Sequence, residues 1–178
     1  MKLSIVIPVY NEKNTILEIL KRIEDVNLDV EKEIIIVDDG STDGTGEILK
    51  TLADKYKIVY QPENSGKGAA LRAGFKEATG DYLVVQDADL EYDPNDFKAM
   101  LKLIKEPEVE VVYGSRRLQH SYFKSRHSGH IYAFGGIFLT WLTNLLYGIK
   151  ITDEPTCYKM FKTDFLKSIN LACRRFEF

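Results

Sequence analysis

The sequence predicts an α/β fold whose mostly parallel central sheet is covered by helices on both faces. Two observations carry this: short β-branched apolar runs alternate with segments of helical period, and the spacing leaves room for a crossover helix between successive strands. Such crossovers are right-handed, and in sheets of this kind ligands bind beyond the carboxyl ends of the strands.

The first run, Leu3 to Val9, is ended by "YNEKNT", after which Ile16, Leu17, Leu20 and Ile23 recur at helical spacing. The unit then repeats. "EIIIVDDG" reads as a buried strand, "STDGTGEILKTLADKY" as a capped helix, "KIVYQ" as a strand and "GKGAALRAGFKEA" as a helix entered through glycines. "DYLVVQD" is the next strand, "NDFKAMLKLIK" is helical and "VEVVYGS" is a further strand. From Ile131 to Ile149 no side chain is charged, which is about the length of a bilayer span, but a glycine pair, Thr140, Thr143 and Asn144 make it a poor one. A buried or membrane-facing amphipathic helix is expected instead. Its aromatics, Tyr132, Phe134, Phe138, Trp141 and Tyr147, have two readings, core packing or contact with a bilayer surface.

With 178 residues, 44% hydrophobic and 29% charged, the chain is sized for one domain with a continuous core. Its 24 basic residues against 27 acidic ones give a net charge of -3, so no overall basic field exists to hold nucleic acid. Any anion must be held locally. Cys157 and Cys173 lack the spacing of a disulfide framework or zinc knuckle, and "MKLSIVIPVYNE" lacks the pattern of a signal peptide. Two reduced thiols in a cytoplasmic protein are expected.

The loops separate the nucleotide folds that share this architecture. A dinucleotide site needs G-x-G-x-x-G after the first strand, where "YNEKNT" has no glycine. "NSGKGAALRAG" fails the phosphate-loop spacing, because Gly68 follows Lys67 where Ser or Thr is needed. Its glycines either just open a helix or, through free N-H groups and Lys67, shape a nucleotide pocket. A phosphoacceptor receiver would carry its acid pair after the first strand, whereas Asp38 and Asp39 follow the second.

In "VVQDADLEYDP", Asp87, Asp89, Glu91 and Asp93 crowd the exit of a strand, and like charges so placed need compensation. An extended backbone points alternate side chains the same way, so Asp87 and Asp89 can share a hard divalent cation, Mg2+ or Mn2+. Asp93, before Pro94, reads as a helix cap.

The ordered set "VIPVYNE", "IIIVDDGSTDGT", "NSGKGAALRAG", "VVQDADLEYDP" and "VVYGSRR", each at a strand-to-helix junction, resembles the inverting family 2 glycosyltransferases of GT-A fold. Within them it is similar to the dolichyl- or polyprenyl-phosphate sugar synthases, and the resemblance covers essentially the whole chain. It implies one GT-A domain over residues 1–178, with a nucleotide-binding half over about 1–115 and an acceptor-side half over about 116–178. Pro8, Tyr10, Glu12, Val37 and Asp39 match positions that hold the nucleotide's base and ribose. Asp87, Ala88 and Asp89 match the D-x-D, and Glu91 falls where some relatives place Gln near the metal, so Asp87, Asp89 and Glu91 form the expected Mg2+ or Mn2+ set. Arg117 matches the arginine near the diphosphate, with Arg116 its rival, and Asp153 in "ITDEPTCYKMF" either orients the acceptor or caps a turn. Asp89, Arg117 and Asp153 are thus the expected catalytic residues.

No general base stands in a matched motif, since His120, His127 and His130 lie in a basic loop at no metal-binding spacing. A lipid phosphate acceptor is already an anion and needs none; Arg116, Lys124 and Arg126 are the residues expected to receive it. The leading expectation is metal-dependent transfer of a hexose from a nucleotide sugar, UDP-glucose or GDP-mannose in type, to a polyprenyl phosphate at the cytoplasmic face of a membrane. Two others stand beside it: a family 2 transferase acting on a saccharide or glycolipid hydroxyl, and a non-catalytic nucleotide-sugar-binding module. The chain stops at "CRRFEF", where an aromatic strand begins and the family continues, so a missing C-terminal part is expected.

Overall fold

A computed structural model describes residues 1–118 and 130–175, the side chains of 118 and 130–134 excepted. Six strands form one sheet in the order β3-β2-β1-β4-β6-β5. Strands β1 (Lys2–Val9), β2 (Glu31–Asp38), β3 (Lys57–Tyr60) and β4 (Tyr82–Val85) are parallel. Strand β6 (Lys159–Lys162) runs antiparallel between β4 and β5 (Val111–Tyr113).

Period-two alternation assigns the strand side chains to two cores. Leu3, Ile5, Ile7 and Val9 of β1 join Ile36 and Val84 on one face, where α1 (Ile16–Asp25) and α4 (Phe97–Ile104) pack. Val6, Ile35, Val37, Leu83 and Val85 face the other way, under α3 (Lys67–Glu77) and α6 (Thr163–Ser168). Each fully buried isoleucine, such as Ile16 or Ile19, contributes about 1.5–3 kcal/mol of transfer free energy. The buried stripe of α1 is Ile16, Ile19, Leu20 and Ile23, so Leu17, read from spacing as part of it, instead faces solvent at 54% exposure. Close approach of α3 to the sheet depends on Gly74, where a Cβ would stand 2.4 Å from Val6 Cγ1. Helix α2 (Thr45–Lys50) is shorter than the sequence pattern, which continues to Tyr56; non-helical turns occupy residues 51–55.

Strand β6 was not expected. It is four residues long and flanked by lysines, so its apolar content is too small for a clear period, yet Met160 and Phe161 are buried. Lys159 is accommodated by laying its ammonium over the Tyr113 ring, 5.3 Å from the centroid.

The uncharged helix α5 (His130–Tyr147) is held by the polar residues that disqualified it as a span. Thr140 Oγ1 donates to the Gly136 carbonyl at 2.7 Å and accepts from Glu154 N at 3.1 Å. The Asn144 amide clamps the backbone of Ile151 at 2.8 and 2.9 Å. Among its described side chains, Phe138, Trp141, Leu145, Leu146 and Tyr147 are all exposed; those of Tyr132 and Phe134 lie outside the described residues. Among the described residues no helix is long and apolar enough to cross a membrane.

Glu33 fastens the amino-terminal edge of the sheet. Ser4 Oγ, Thr79 N and Thr79 Oγ1 donate to its carboxylate, and Lys2 Nζ lies 3.2 Å away. Burial alone would raise its pKa, but these donors outweigh it and hold the group at about 2, below the ordinary 4.5. A depressed folded pKa adds stability that is complete above the unfolded value and is lost as pH falls from about 4.5 toward 2. Glu33→Gln is therefore expected to be less stable than the parent at neutral pH and to show a flatter decline across that acid window, measured by urea denaturation at stepped pH.

Candidate active site

The carboxyl ends of β1, β2 and β4 open on a cleft of about 720 Å3, at the point where the chain reverses direction across the sheet. Pro8, Tyr10 and Glu12 line it from the first loop, Asp39 from the second, and Asp87, Ala88, Asp89 and Glu91 from the fourth strand's exit. Asn64 to Lys67, Cys157 and Arg175 complete its wall.

The first two loops are tied together. Asn11, at φ 57°, accepts from Thr42 N at 2.8 Å and gives its own N-H to Ser41 Oγ at 3.0 Å, while Glu12 N donates to Thr45 Oγ1 at 3.0 Å. Asp38 Oδ1 accepts from Ser41 N at 3.0 Å. Asp39, only 3% exposed, accepts from Ser65 N at 2.9 Å and Gly66 N at 2.8 Å, so its carboxylate fixes the glycine loop against the cleft.

Gly66 stands at φ +92°, and a Cβ there would meet the Arg174 carbonyl oxygen at 2.7 Å. The close contact exists because the segment carrying Arg174 and Arg175 crosses the start of α3. Gly68 N donates to the Arg175 carbonyl at 2.7 Å and Ala69 N to the Arg174 carbonyl at 2.9 Å. These N-H groups, open to an anion on the sequence reading, are satisfied by the protein itself. Lys67 is the cation that the loop presents: its Nζ lies 2.6 Å from Asp87 Oδ1, 2.8 Å from Oδ2 and 3.1 Å from Cys157 Sγ. Burial opposes the ammonium's charge, but Asp87 and Cys157 more than offset it and raise its pKa. Burial, reinforced by Asp87, pushes the Cys157 thiol up as well, so it stays protonated.

A buried aromatic column supports the acidic loop from below. Tyr158, beside β6, donates to Gln86 Oε1 at 2.7 Å, and Gln86 Nε2 donates to the Asp87 carbonyl at 2.9 Å. Tyr92 stacks on Tyr158 with centroids 4.6 Å apart and accepts from Cys157 N at 3.1 Å. Burial pushes both phenols far above their ordinary range, which keeps them neutral. Leu90, at φ 66°, turns the chain between Asp89 and Glu91, where Glu91 N donates to Asp89 Oδ1 at 3.0 Å. Glu91 has a raised pKa, first from burial and then from the charges of Asp89 and Asp87, with Arg116 opposing. Asp93 caps the following turn by accepting from Asn95 N at 2.9 Å, as expected.

The residues read as acceptor-side are placed otherwise. Asp153 is 1% exposed and receives Arg116 in a fork, Nε to Oδ2 at 2.9 Å and Nη2 to Oδ1 at 3.0 Å, with Arg116 N adding a third bond at 3.1 Å. Asp153 is thus enclosed by Arg116, whose guanidinium also donates to the Pro155 carbonyl at 3.3 Å and lies 3.9 Å from Oε1 of the cleft-lining Glu91; the pair braces the strand exit. Arg117 is not on the cleft wall and lies against α5, its Nη2 3.5 Å from where a Gly136 Cβ would be. Val37 is fully buried and packs with Val6 and α3, so its side chain is core. Lys124, Arg126, His120 and His127 lie outside the described residues, as does the side chain of His130.

A divalent ion has hard oxygen donors here in Asp87 and Asp89, both on the cleft. Among the described residues no three acidic, His or Cys side chains converge into a cage. The chemistry therefore fits an ion held by one or two carboxylates and completed by a ligand's phosphates, not one held by protein alone. Sequence reasoning missed Asn64, Ser65, Cys157 and Arg175, which reach the cleft from segments distant in the chain. Gly66 and Gly68 were the available signal, since both mark a close backbone approach without naming the partner.

Residues 4–169 match the family described as glycosyl transferase family 2, and the chain belongs to it. It is 38% identical to a dolichol-phosphate mannosyltransferase of Pyrococcus furiosus over 65% of this chain and 33% of that protein. Against a dodecaprenyl-phosphate galacturonate synthase of Rhizobium johnstonii it is 29% identical, over 96% of this chain and 51% of the relative. Its fold matches glucosyl-3-phosphoglycerate synthase of Mycobacterium tuberculosis, solved with Mn2+, uridine diphosphate and phosphoglyceric acid, with TM-score 0.73 and 21% identity over 98% of this chain and 60% of that one. The chain thus spans a third to about six-tenths of the length of these three. The expected GT-A fold, a mostly parallel six-stranded sheet with helices, is the fold found.

Removing one member of a buried ion pair strands the other, at a cost of about 3–5 kcal/mol. Because the Arg116 guanidinium is 24% exposed, Asp153→Asn is expected to lower unfolding free energy by less than that amount, and the double change Arg116→Met with Asp153→Leu to restore most of it, read by urea denaturation. An Asp153→Asn protein as stable as the parent would show that the pair does not brace the fold.

Proposed function

We propose that the chain is the donor-binding core of a metal-dependent, inverting transferase that moves a hexose from a nucleotide sugar to a polyprenyl phosphate. The observation that carries this reading is the meeting of Asp87, Asp89, Lys67 and Tyr10 on one cleft at the carboxyl edge of the sheet. Tyr10, 45% exposed where β1 ends, offers a ring on which a flat base can stack. Asp39 fixes the loop that forms the opposite wall, and Glu12 N ties the first loop to Thr45 at the start of α2. Asp87 and Asp89 are the residues that would hold Mg2+ or Mn2+. When bound, such an ion neutralises charge that grows on the diphosphate as the sugar bond breaks.

In the transfer an acceptor phosphate oxygen forms a bond to the sugar's anomeric carbon from the side opposite the diphosphate. The bond from that carbon to the diphosphate oxygen breaks, and its electron pair leaves with the nucleoside diphosphate. The acceptor is already ionised, so no proton has to be removed. The names of the Pyrococcus and Rhizobium relatives support a polyprenyl-type acceptor. The exposed side chains of α5, Phe138, Trp141, Leu145, Leu146 and Tyr147, support peripheral contact with the membrane that would carry it, at the cytoplasmic face. Arg117, beside α5, is assigned in this reading to the acceptor phosphate, which its distance from the cleft wall supports.

Calorimetry with UDP and GDP, each with and without Mn2+, tests the donor site. One nucleotide is expected to bind only with Mn2+, and Asp89→Ala to weaken it by about tenfold or more. Binding of neither nucleotide by protein with a folded circular dichroism spectrum would refute the proposal.

A further inference from the structure

We propose that Lys67 is a latch on the metal-binding carboxylate: in the free protein it holds Asp87 in the place of a divalent ion, and it transfers to the diphosphate when metal and nucleotide enter. The inference rests on the donor-site reading above and adds to it a residue with opposite effects on the two ligands.

Lys67 Nζ engages both oxygens of Asp87, at 2.6 and 2.8 Å, and the two side chains are only 18% and 13% exposed. An ammonium so placed engages both oxygens of a carboxylate that lines the cleft. A divalent ion arriving at Asp87 meets that positive charge at a few ångströms, in a site too enclosed for water to screen it fully. Metal and Lys67 therefore compete for one carboxylate.

The alternative, a permanent structural ion pair, fits the surroundings poorly. Apart from Asp87, Lys67 contacts the neutral Cys157 thiol at 3.1 Å, which is a weak acceptor. Its backbone, by contrast, is fixed: Gly66 and Gly68 on either side pack against the Arg174 and Arg175 backbone, and Gly68 N and Ala69 N are bonded to it. A rooted residue with a flexible four-carbon stem can move its head while the helix start stays in place. With those two N-H groups taken, the Lys67 ammonium is the group from this helix start that can follow an incoming phosphate. Cleft-lining Asp89 stays with the metal throughout.

The test measures Mn2+ binding to the whole chain without nucleotide, from the electron paramagnetic resonance signal of free Mn2+, in the parent, Lys67→Met and Lys67→Gln. Both variants are expected to bind Mn2+ alone about threefold tighter or better, and Lys67→Met combined with Asp87→Asn to lose the gain. With Mn2+ saturating, UDP or GDP is expected to bind both single variants about fivefold weaker or worse. Unchanged or weaker Mn2+ binding in folded single variants would overturn the latch, and so would a metal gain without a nucleotide loss. Failure of the parent itself to bind either nucleotide would instead strike the donor-site reading, which the metal-only measurement leaves separate.

Discussion

Parallel register between β1, β2 and β4 delivers Asp38, Asp39, Asp87 and Asp89 to one edge of the sheet, and their mutual repulsion has to be compensated there. The compensation organises the loops. Asp38 is met by Ser41 N-H, Asp39 by two N-H groups of the glycine loop, and Asp87 by the Lys67 ammonium. Each bond draws a different segment toward the cleft. The glycine loop is brought in by Asp39, and through it the start of α3 meets the backbone of Arg174 and Arg175. What stays least satisfied is Asp89 with Glu91, whose carboxyl is pushed up by burial and by its neighbours' charge. A cleft with surplus negative charge at that one corner is suited to a cation that arrives with its ligand.

Most of the sheet was legible because the inner parallel strands, buried on both faces toward their carboxyl ends, leave uninterrupted apolar runs. β6 was not legible: four residues with a lysine at each end carry little periodicity, and its place between β4 and β5 is decided by Tyr158 reaching Gln86 across the core. That the strand-exit residues would share one cleft was legible for a related reason. Strand exits fall where the runs end, so Tyr10, Glu12, Asp39, Asp87 and Asp89 are brought to one edge by the fold itself. The surroundings of Asp153 depend on tertiary pairing that no local pattern encodes. Asp153 and Arg116 are 37 residues apart, and their ion pair could not be read from either motif. Arg175 reaches the cleft only because its segment crosses α3, and Lys124 and Arg126 fall outside the described residues.

Two regions of the chain are built on different terms. The cleft-lining residues come from strand exits and are fixed by short backbone hydrogen bonds, a rigid arrangement suited to holding a ligand in one pose. Helix α5, by contrast, is tied down by Thr140 and Asn144 and presents aromatic and aliphatic side chains outward. Under the proposed function, that difference suits a water-soluble donor and an acceptor that stays in a lipid surface.

The most direct measurement is an anomalous-difference map from crystals grown with Mn2+ and whichever of UDP or GDP the chain binds. A manganese peak in direct coordination with Asp87 or Asp89 and with the diphosphate, the base lying beside Tyr10, is the predicted result. A peak remote from both carboxylates, or a nucleotide seated outside the cleft, would contradict the account.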